Sequence, residues 1–165
     1  MEQQMPPDLY NQLAAGPPIS YHMEFGPNKT LVRVATVANE TPNLIPVIAK
    51  LCEKDPHVAY AWLCHDGVRH IGKQLPREGG FCGYRNIQMM ISYLQSAHFE
   101  GGTNPFPGMV PSIIKLQEWI EAGWDMGIND HGKIETGGIK GTRKYIGTSE
   151  VRDHTSCASL GAIHF

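Results

Sequence analysis

The pattern of apolar and polar residues predicts a chain of mixed helices and short strands. Apolar and polar positions alternate in LVRVATV (residues 31–37), which is also rich in β-branched residues, and this segment predicts a strand. Thr41 can cap a helix that follows it. The apolar positions of that helix recur at helical spacing, at Leu44, Ile45, Ile48 and Leu51. The short apolar run VAYAWLC (residues 58–64) predicts a buried strand.

Two longer helices are predicted in the middle of the chain. The first begins at Gly83, and the second follows Pro111, which the first turn of a helix tolerates. Their apolar residues keep helical spacing, at Ile87, Met90, Ile91 and Leu94 in the first helix and at Ile113, Leu116, Ile120 and Trp124 in the second. A mixture of several helices with few strands indicates the α+β class.

The remaining segments complete a single predicted domain. Residues 1–27, rich in Pro, Gly and Gln, are expected to be a loose lead-in with at most a short helix near Asp8 to Ala15, and residues 28–165 form the domain. Residues 65–80 and 125–141 are predicted loops. Thr148 can begin another helix, and the closing GAIHF resembles the start of a buried strand. Three tryptophans, Trp62, Trp119 and Trp124, are expected in the core.

Composition and charge exclude several classes of protein. The chain has 165 residues, 41% of them apolar and 18% charged, and a formal net charge of −2. This is a globular composition without a basic stripe, so we expect no nucleic-acid partner. No apolar run reaches the roughly 18 residues that a membrane span needs, and the first residues do not resemble a secretory signal. We therefore expect a monomeric cytoplasmic or nuclear protein that contacts no membrane. His and Cys lack the spacing of a zinc site, so no metal or other cofactor is expected.

Cys82 is the candidate nucleophile. It follows GGF and precedes Gly83 at the predicted start of a helix. The first turn of a helix presents N–H groups and the positive end of the dipole, which favour a thiolate, the nucleophilic form of cysteine. The same N–H groups could donate to an oxyanion. The glycines at 79, 80 and 83 would let a substrate backbone approach.

A plainer interpretation of Cys82 stays open at this point. Free cysteines of a reducing compartment are commonly small buried residues, and this would describe Cys82 as well as Cys52, Cys64 and Cys157. An inert structural domain is therefore one of the hypotheses.

Two motifs resemble a known family. GGFCGYRNIQMMISYL resembles the active-site segment of the zinc-finger-containing ubiquitin peptidases, relatives of the peptidases specific for the ubiquitin-fold modifier, whose hallmark is Gly-Trp-Gly-Cys-Gly-Tyr-Arg-Asn. The matching residues are Cys82, Gly83, Tyr84, Arg85, Asn86 and Gln88. Phe81 and Gly80 depart from the glycine and tryptophan of the hallmark. Downstream, GTRKYIGTSEV (residues 141–151) resembles the family's Gly-Thr-Lys-x-Trp-Ile-Gly-x-x-Glu-Val, and EWIEAGWD (residues 118–125) is also similar.

The resemblance implies a papain-like cysteine peptidase fold, truncated here, with the nucleophile Cys82 at the N-terminus of the central helix. It also implies a thiol-dependent isopeptidase that cleaves ubiquitin or a ubiquitin-like modifier after its C-terminal glycine. The candidates for an oxyanion-hole side chain are Gln74 and His70. The candidates for substrate binding are Gly80, Gly83, Tyr84 and Arg85. For Tyr84 and Arg85, packing beside the site is an equal alternative.

The general base is missing from this assignment. In the family that is resembled, the catalytic histidine and aspartate follow the segment that matches residues 141–151, and no residue of this chain matches them. We therefore expect a partial peptidase domain with impaired catalysis, because cysteine peptidases depend on such a base. The alternative function is a non-catalytic ubiquitin-binding pseudoenzyme fragment.

Overall fold

The structure, a computed structural model, combines five helices with four short strands in the part of the chain that it describes, residues 4–76, 78–97, 104 and 106–147. The helices are α1 (Pro7–Ala15), α2 (Leu44–Lys54), α3 (Cys82–Ser96), α4 (Ile113–Asp125) and α5 (His131–Thr136). The strands are β1 (Ile19–Phe25), β2 (Leu31–Val37), β3 (Glu40–Thr41) and β4 (His70–Ile71). The α+β class is confirmed.

The strands form two separate antiparallel pairs. β1 and β2 make a hairpin in which Ile19 lies opposite Val37 and Phe25 opposite Leu31. β3 pairs with β4, so that Thr41 lies opposite His70. The strand predicted at residues 31–37 is confirmed as β2.

The N-terminal segment is not the loose lead-in that its composition suggested. It contains α1, which agrees with the short helix allowed near Asp8 to Ala15, and it contains the whole of β1. Pro7 stands in the first turn of α1, where a missing N–H costs nothing. Leu13 is 1% exposed in the core, and the Met5 amide donates to the Gly141 carbonyl over 2.9 Å. Tertiary contacts therefore order a segment that proline and glutamine would otherwise leave irregular.

The hydrophobic core lies around α3 and α4. Of the positions predicted from helical spacing, Ile87 and Ile91 on α3 and Ile113, Leu116, Ile120 and Trp124 on α4 are buried. Met90 and Leu94 on α3 are only half-buried. Ser112 caps α4, and its Oγ accepts a hydrogen bond from the Lys115 amide over 3.2 Å. None of the described helices is long and apolar enough to span a membrane.

Several predictions for the segments between β3 and α3 are wrong. Residues 58–64 form no strand, and Tyr60 and Trp62 are more than four-fifths exposed. α2 begins after Asn43 instead of Thr41, and none of its residues is buried. Apolar character favours burial, but it does not specify which element will cover a segment.

Two other expectations have different outcomes. The loop predicted at residues 125–141 contains the short helix α5. Of the tryptophans expected in the core, Trp124 is buried, Trp119 packs against the core from its edge, and Trp62 is exposed. The elements predicted from Thr148 onward lie outside the described residues.

Replacing a buried isoleucine by alanine should destabilise the protein far more than replacing an exposed leucine by alanine. We expect Ile91→Ala on α3 to lower the free energy of unfolding by about 2–5 kcal/mol, because it leaves a cavity in packed surroundings. The matched change Leu51→Ala on α2, at a residue that is 62% exposed, should cost less than about 1 kcal/mol. Urea unfolding monitored by circular dichroism measures both values. Equal losses would contradict the core described above.

Candidate active site

Cys82 is the first residue of α3, and it is exposed. Its exposure follows from the rotation of the helix, because Phe81 and Tyr84 are at most 1% exposed and face the core, where their rings meet edge to face at 5.8 Å. The Phe81 carbonyl accepts the Arg85 amide over 3.0 Å, which closes the first turn. The interpretation of Cys82 as a small buried residue is therefore wrong.

The other cysteines also depart from the expectation of burial. Cys64 is exposed and Cys52 is half-buried, and both are free thiols. Cys157 lies outside the described residues. Exposure alone does not distinguish Cys82 from Cys64, so the surroundings of Cys82 carry the argument.

Cys82 lines a cleft of about 250 Å³ between α3 and β4. From α3 the cleft receives Asn86 and Met89, which lie on the same helical face as Cys82. From β4 and the loop after it the cleft receives His70, Ile71, Gly72 and Lys73. The structure thus brings two residues that the sequence singled out, His70 and Cys82, to one cleft.

The position of His70 depends on the β3–β4 pair. Beyond the register of Thr41 with His70, the Gly72 amide donates to the Asn39 carbonyl over 2.9 Å. The Asn39 side chain donates in return to the Gly72 carbonyl over 3.0 Å. These bonds hold the strand that forms one wall of the cleft.

Gln74 does not serve as the oxyanion donor that the sequence suggested. Its side-chain Nε2 donates to the Gln12 carbonyl over 3.0 Å and to the Gly16 carbonyl over 2.8 Å. Both hydrogens of the amide are used at the C-terminal end of α1, where helix carbonyls lack intrahelical partners. Gln74 therefore fastens α1 to the loop that precedes Cys82.

Tyr84 and Arg85 are packed inside the protein, which favours the packing alternative over substrate binding for both residues. Tyr84 is 0% exposed, and its hydroxyl accepts from the Gln117 side chain over 3.4 Å. The Arg85 guanidinium donates to the Glu78 carboxylate and, over 2.9 Å, to the Gln88 side chain. The sequence offered no signal that Glu78 would be buried.

The glycines around Cys82 are covered by the chain's own segment 143–146. A Cβ on Gly80 would lie 2.1 Å from the ring of Tyr145, and a Cβ on Gly83 would lie 2.9 Å from the carbonyl oxygen of Ile146. Gly79 has a φ of +96° and faces the guanidinium of Arg143. The expectation that Gly83 leaves room for a substrate backbone is therefore corrected, since its packing against the Ile146 backbone requires a glycine. Gly80 is covered by the ring of Tyr145, which is itself 70% exposed.

Helix α4 holds the segment that leads to residues 143–146. The fully buried Gln117 accepts from the Gly141 amide and donates to the Thr142 carbonyl, both over 3.0 Å. Glu121 accepts from the Ile139 amide over 2.7 Å and from the Lys140 amide over 2.8 Å. Residues 139–142, at the start of the downstream motif, are thus fixed to α4 by two side chains. The sequence analysis missed Gln117, and it quoted the stretch EWIEAGWD that contains Glu121 without giving Glu121 a role.

An ion pair supports the same connection at the surface. Lys140 Nζ lies 3.0 Å from Glu118 Oε1, and this hydrogen bond lowers the pKa of the Glu118 carboxyl below its ordinary value.

Across the described ranges of the chain, no three His, Cys, Asp or Glu side chains converge as a metal site would require.

A profile of peptidase family C78 matches residues 57–155, which is more than half of the chain. The chain belongs to peptidase family C78. The matched residues include β4 and the loop after it, α3, α4 and residues 139–147, which are the parts of the chain that surround Cys82 or hold the segment covering it. Helices α1 and α2 and the β1–β2 hairpin precede it.

The individual relatives agree with the C78 assignment. The zinc finger-containing ubiquitin peptidase 1 of Mus musculus is 35% identical over 86 residues, which cover 51% of this chain and 15% of the mouse protein. The proteins of the same name from Bos taurus and Macaca fascicularis are 35% and 36% identical over 97 residues, which cover 57% of this chain and 16% of each relative. The resemblance recognised in the sequence is confirmed, and the chain spans only 15–16% of the length of these relatives.

The packing around Gly83 predicts that it cannot be replaced. We expect Gly83→Ala to lower the free energy of unfolding by about 1–3 kcal/mol, because the new methyl group meets a backbone oxygen that cannot swing away. This loss exceeds the helix-propensity gain of up to about 1 kcal/mol. The matched control is Gly72→Ala in the same cleft, where the nearest atoms would be 3.8 and 3.9 Å away. Chemical unfolding of both variants measures the difference, and a tolerated Gly83→Ala would contradict the contact with Ile146.

Proposed function

We propose that this chain carries the nucleophile of a thiol-dependent isopeptidase that cleaves ubiquitin, or a ubiquitin-like modifier, after its C-terminal glycine. The observation that carries the proposal is the exposed Cys82 at the head of the 15-residue helix α3, lining a cleft in a chain of peptidase family C78. In this proposal the fold is papain-like, and α3 is its central helix.

The reaction uses one sulfur and one carbonyl. The Cys82 thiol gives up its proton as its sulfur bonds to the carbonyl carbon of the modifier's last glycine. The C–N bond to the acceptor lysine breaks as that proton passes to the leaving amine. Water then hydrolyses the thioester, which restores the thiol and leaves the modifier with a free carboxylate. The negative oxygen formed during attack needs donors, and the first-turn amides of α3 are suited to supply them.

His70 is the side chain that we assign to the oxyanion. It lines the cleft together with Cys82, and it is the one histidine among the described residues of that cleft. A ring N–H can donate to a developing oxyanion as a backbone amide does. Gln74, the other candidate from the sequence, is engaged at α1 and is not proposed for this role.

Ubiquitin is the preferred substrate of the proposal. The relatives are named ubiquitin peptidases, and the Gly-Tyr-Arg-Asn that follows Cys82 resembles the deubiquitinating branch of the family. The branch that acts on the ubiquitin-fold modifier tends to carry Ala-Tyr-Arg-Ser at these positions. Probes built on the two modifiers separate these substrates.

Covalent labelling tests the proposed nucleophile. A ubiquitin probe with an electrophile in place of its C-terminal glycine should form one covalent adduct at Cys82, detected by intact mass and peptide mapping. Cys82→Ser should abolish the adduct, because a serine hydroxyl is a far weaker nucleophile without an activating base. The matched control is Cys64→Ser, at another exposed thiol, which should label like the parent chain.

The other hypotheses predict different results from the same experiment. A non-catalytic ubiquitin-binding fragment would show chemical-shift changes with unlabelled ubiquitin but would form no adduct. An inert domain would show neither. An adduct that persists in Cys82→Ser would remove the isopeptidase assignment.

The roles of His70 and Gln74 can be separated by mutation. We expect His70→Ala to lower the rate constant of adduct formation by about 10²-fold, because one oxyanion donor is lost. Gln74→Ala should leave that rate constant unchanged while lowering the free energy of unfolding by about 1 kcal/mol, since two hydrogen bonds to α1 carbonyls are lost. Labelling kinetics and thermal unfolding give both values. The reverse pattern would return the oxyanion role to Gln74.

A further inference from the structure

A buried ion pair joins two residues that stand before and after Cys82 in the sequence. Glu78 precedes Cys82 by four residues and Arg85 follows it by three, and their side chains are 1% and 6% exposed. Arg85 Nη2 donates to Glu78 Oε2 over 2.8 Å, and Arg85 Nε donates to Glu78 Oε1 over 3.1 Å. This two-point geometry fixes the orientation of both groups as well as their distance.

The same carboxylate also organises the loop before Cys82. Glu78 Oε2 accepts hydrogen bonds from the backbone N–H of Gln74 over 2.8 Å and from the backbone N–H of Leu75 over 3.2 Å. The loop therefore folds around the Glu78 carboxylate, and Arg85 attaches that carboxylate to α3.

The pair is also linked by hydrogen bonds to the start of α4. Arg85 Nη1 donates to the Gln88 side chain, whose Nε2 donates to the Pro111 carbonyl over 2.6 Å. Pro111 immediately precedes the cap of α4. A continuous set of hydrogen bonds thus runs from the loop, through α3, to the start of α4.

Stability alone is a weak reason for such a pair. Two charges taken out of water lose hydration, and replacing both members of a buried pair by apolar residues is often neutral or stabilising. What apolar residues cannot do is accept the Gln74 and Leu75 amides or fix an orientation through two hydrogen bonds. Glu78 and Arg85 also line the cleft beside Cys82, so any shift of the pair changes the shape of the cleft.

We propose that Glu78 and Arg85 are positioning residues that hold loop residues 74–76 and 78–80 against the first turn of α3 and thereby set the place of the Cys82 sulfur in the cleft. This inference rests on the proposed function, in which Cys82 is the nucleophile. The pair acts through Cys82 and, being buried, does not contact the globular body of a modifier.

The first test separates binding of the probe from the chemical step. In Glu78→Gln the electrophilic ubiquitin probe should bind with an unchanged inhibition constant but react with a maximal rate constant roughly 10- to 100-fold lower, because the reacting atoms are misplaced. The control is Ile120→Ala on α4, at a core residue that takes no part in the side-chain hydrogen bonds of the ion pair and the loop. A parent-like rate constant in Glu78→Gln, or an equal fall in Ile120→Ala, would overturn the proposal.

A second test separates positioning from stability. Combining Glu78→Met with Arg85→Met removes both charges, so Tm should recover relative to either single variant. The labelling rate should stay low, because the loop amides still lack their acceptor. Recovery of the labelling rate together with Tm would show that the pair is only structural.

A third measurement is independent of ubiquitin. Peptide mass spectrometry measures the rate of iodoacetamide reaction at Cys82 relative to the rate at Cys64, which is the internal reference. This ratio should fall severalfold in Glu78→Gln and in the double variant Glu78→Met, Arg85→Met. If the parent chain ignores the ubiquitin probe, the proposed function fails, and this ratio alone decides the positioning role. An unchanged or raised ratio counts against it.

Discussion

The site depends on how α3 is rotated against the core. Phe81, Tyr84, Ile87 and Ile91 recur every three or four residues and are all buried, so that face of the helix is committed to packing against α4. The opposite face, which begins at Cys82, is left for the cleft. Because side-chain packing in a protein interior is close to crystalline density, this rotation has little freedom. An exposed sulfur at the start of a helix is thus a consequence of apolar burial on the other side.

The second constraint is the covering of the glycines before and after Cys82. Residues 143–146 pass so close to these glycines that a methyl group at Gly83 would collide with the Ile146 backbone and one at Gly80 would displace the Tyr145 ring. That segment is itself held by Gln117 and Glu121 of α4. The helix that completes the core therefore also delivers the downstream motif to the cysteine loop. In a member of peptidase family C78, this connection brings together two motifs whose first residues, Gly79 and Gly141, are 62 positions apart.

The N-terminal elements take part in the fold although they precede the segment matched to the family. Leu13 of α1 is in the core, and Gln74 links the end of α1 to the loop before Cys82. The β1–β2 hairpin differs, because its side chains are mostly exposed and its strands pair only with each other among the described residues. Packing against the core therefore makes α1 part of the structure that supports the site, although α1 precedes the matched segment, whereas the hairpin does not pack in this way.

Local periodicity was sufficient to predict α3, α4 and β2. Local chemistry with a family resemblance was sufficient to single out Cys82 as the candidate nucleophile, but it left both Gln74 and His70 as candidates for the oxyanion hole. These features depend on neighbours within one helical turn or along one strand. Tertiary structure decided the rest: that Glu78 and Arg85 pair in the interior, that Gln74 faces α1, and that residues 58–64 are exposed. Whether a side chain is buried and which group it contacts depend on how whole elements pack, for Glu78 and Arg85 seven residues apart as much as for Gln74 and Gly16. The spacing of apolar residues carries no record of that packing.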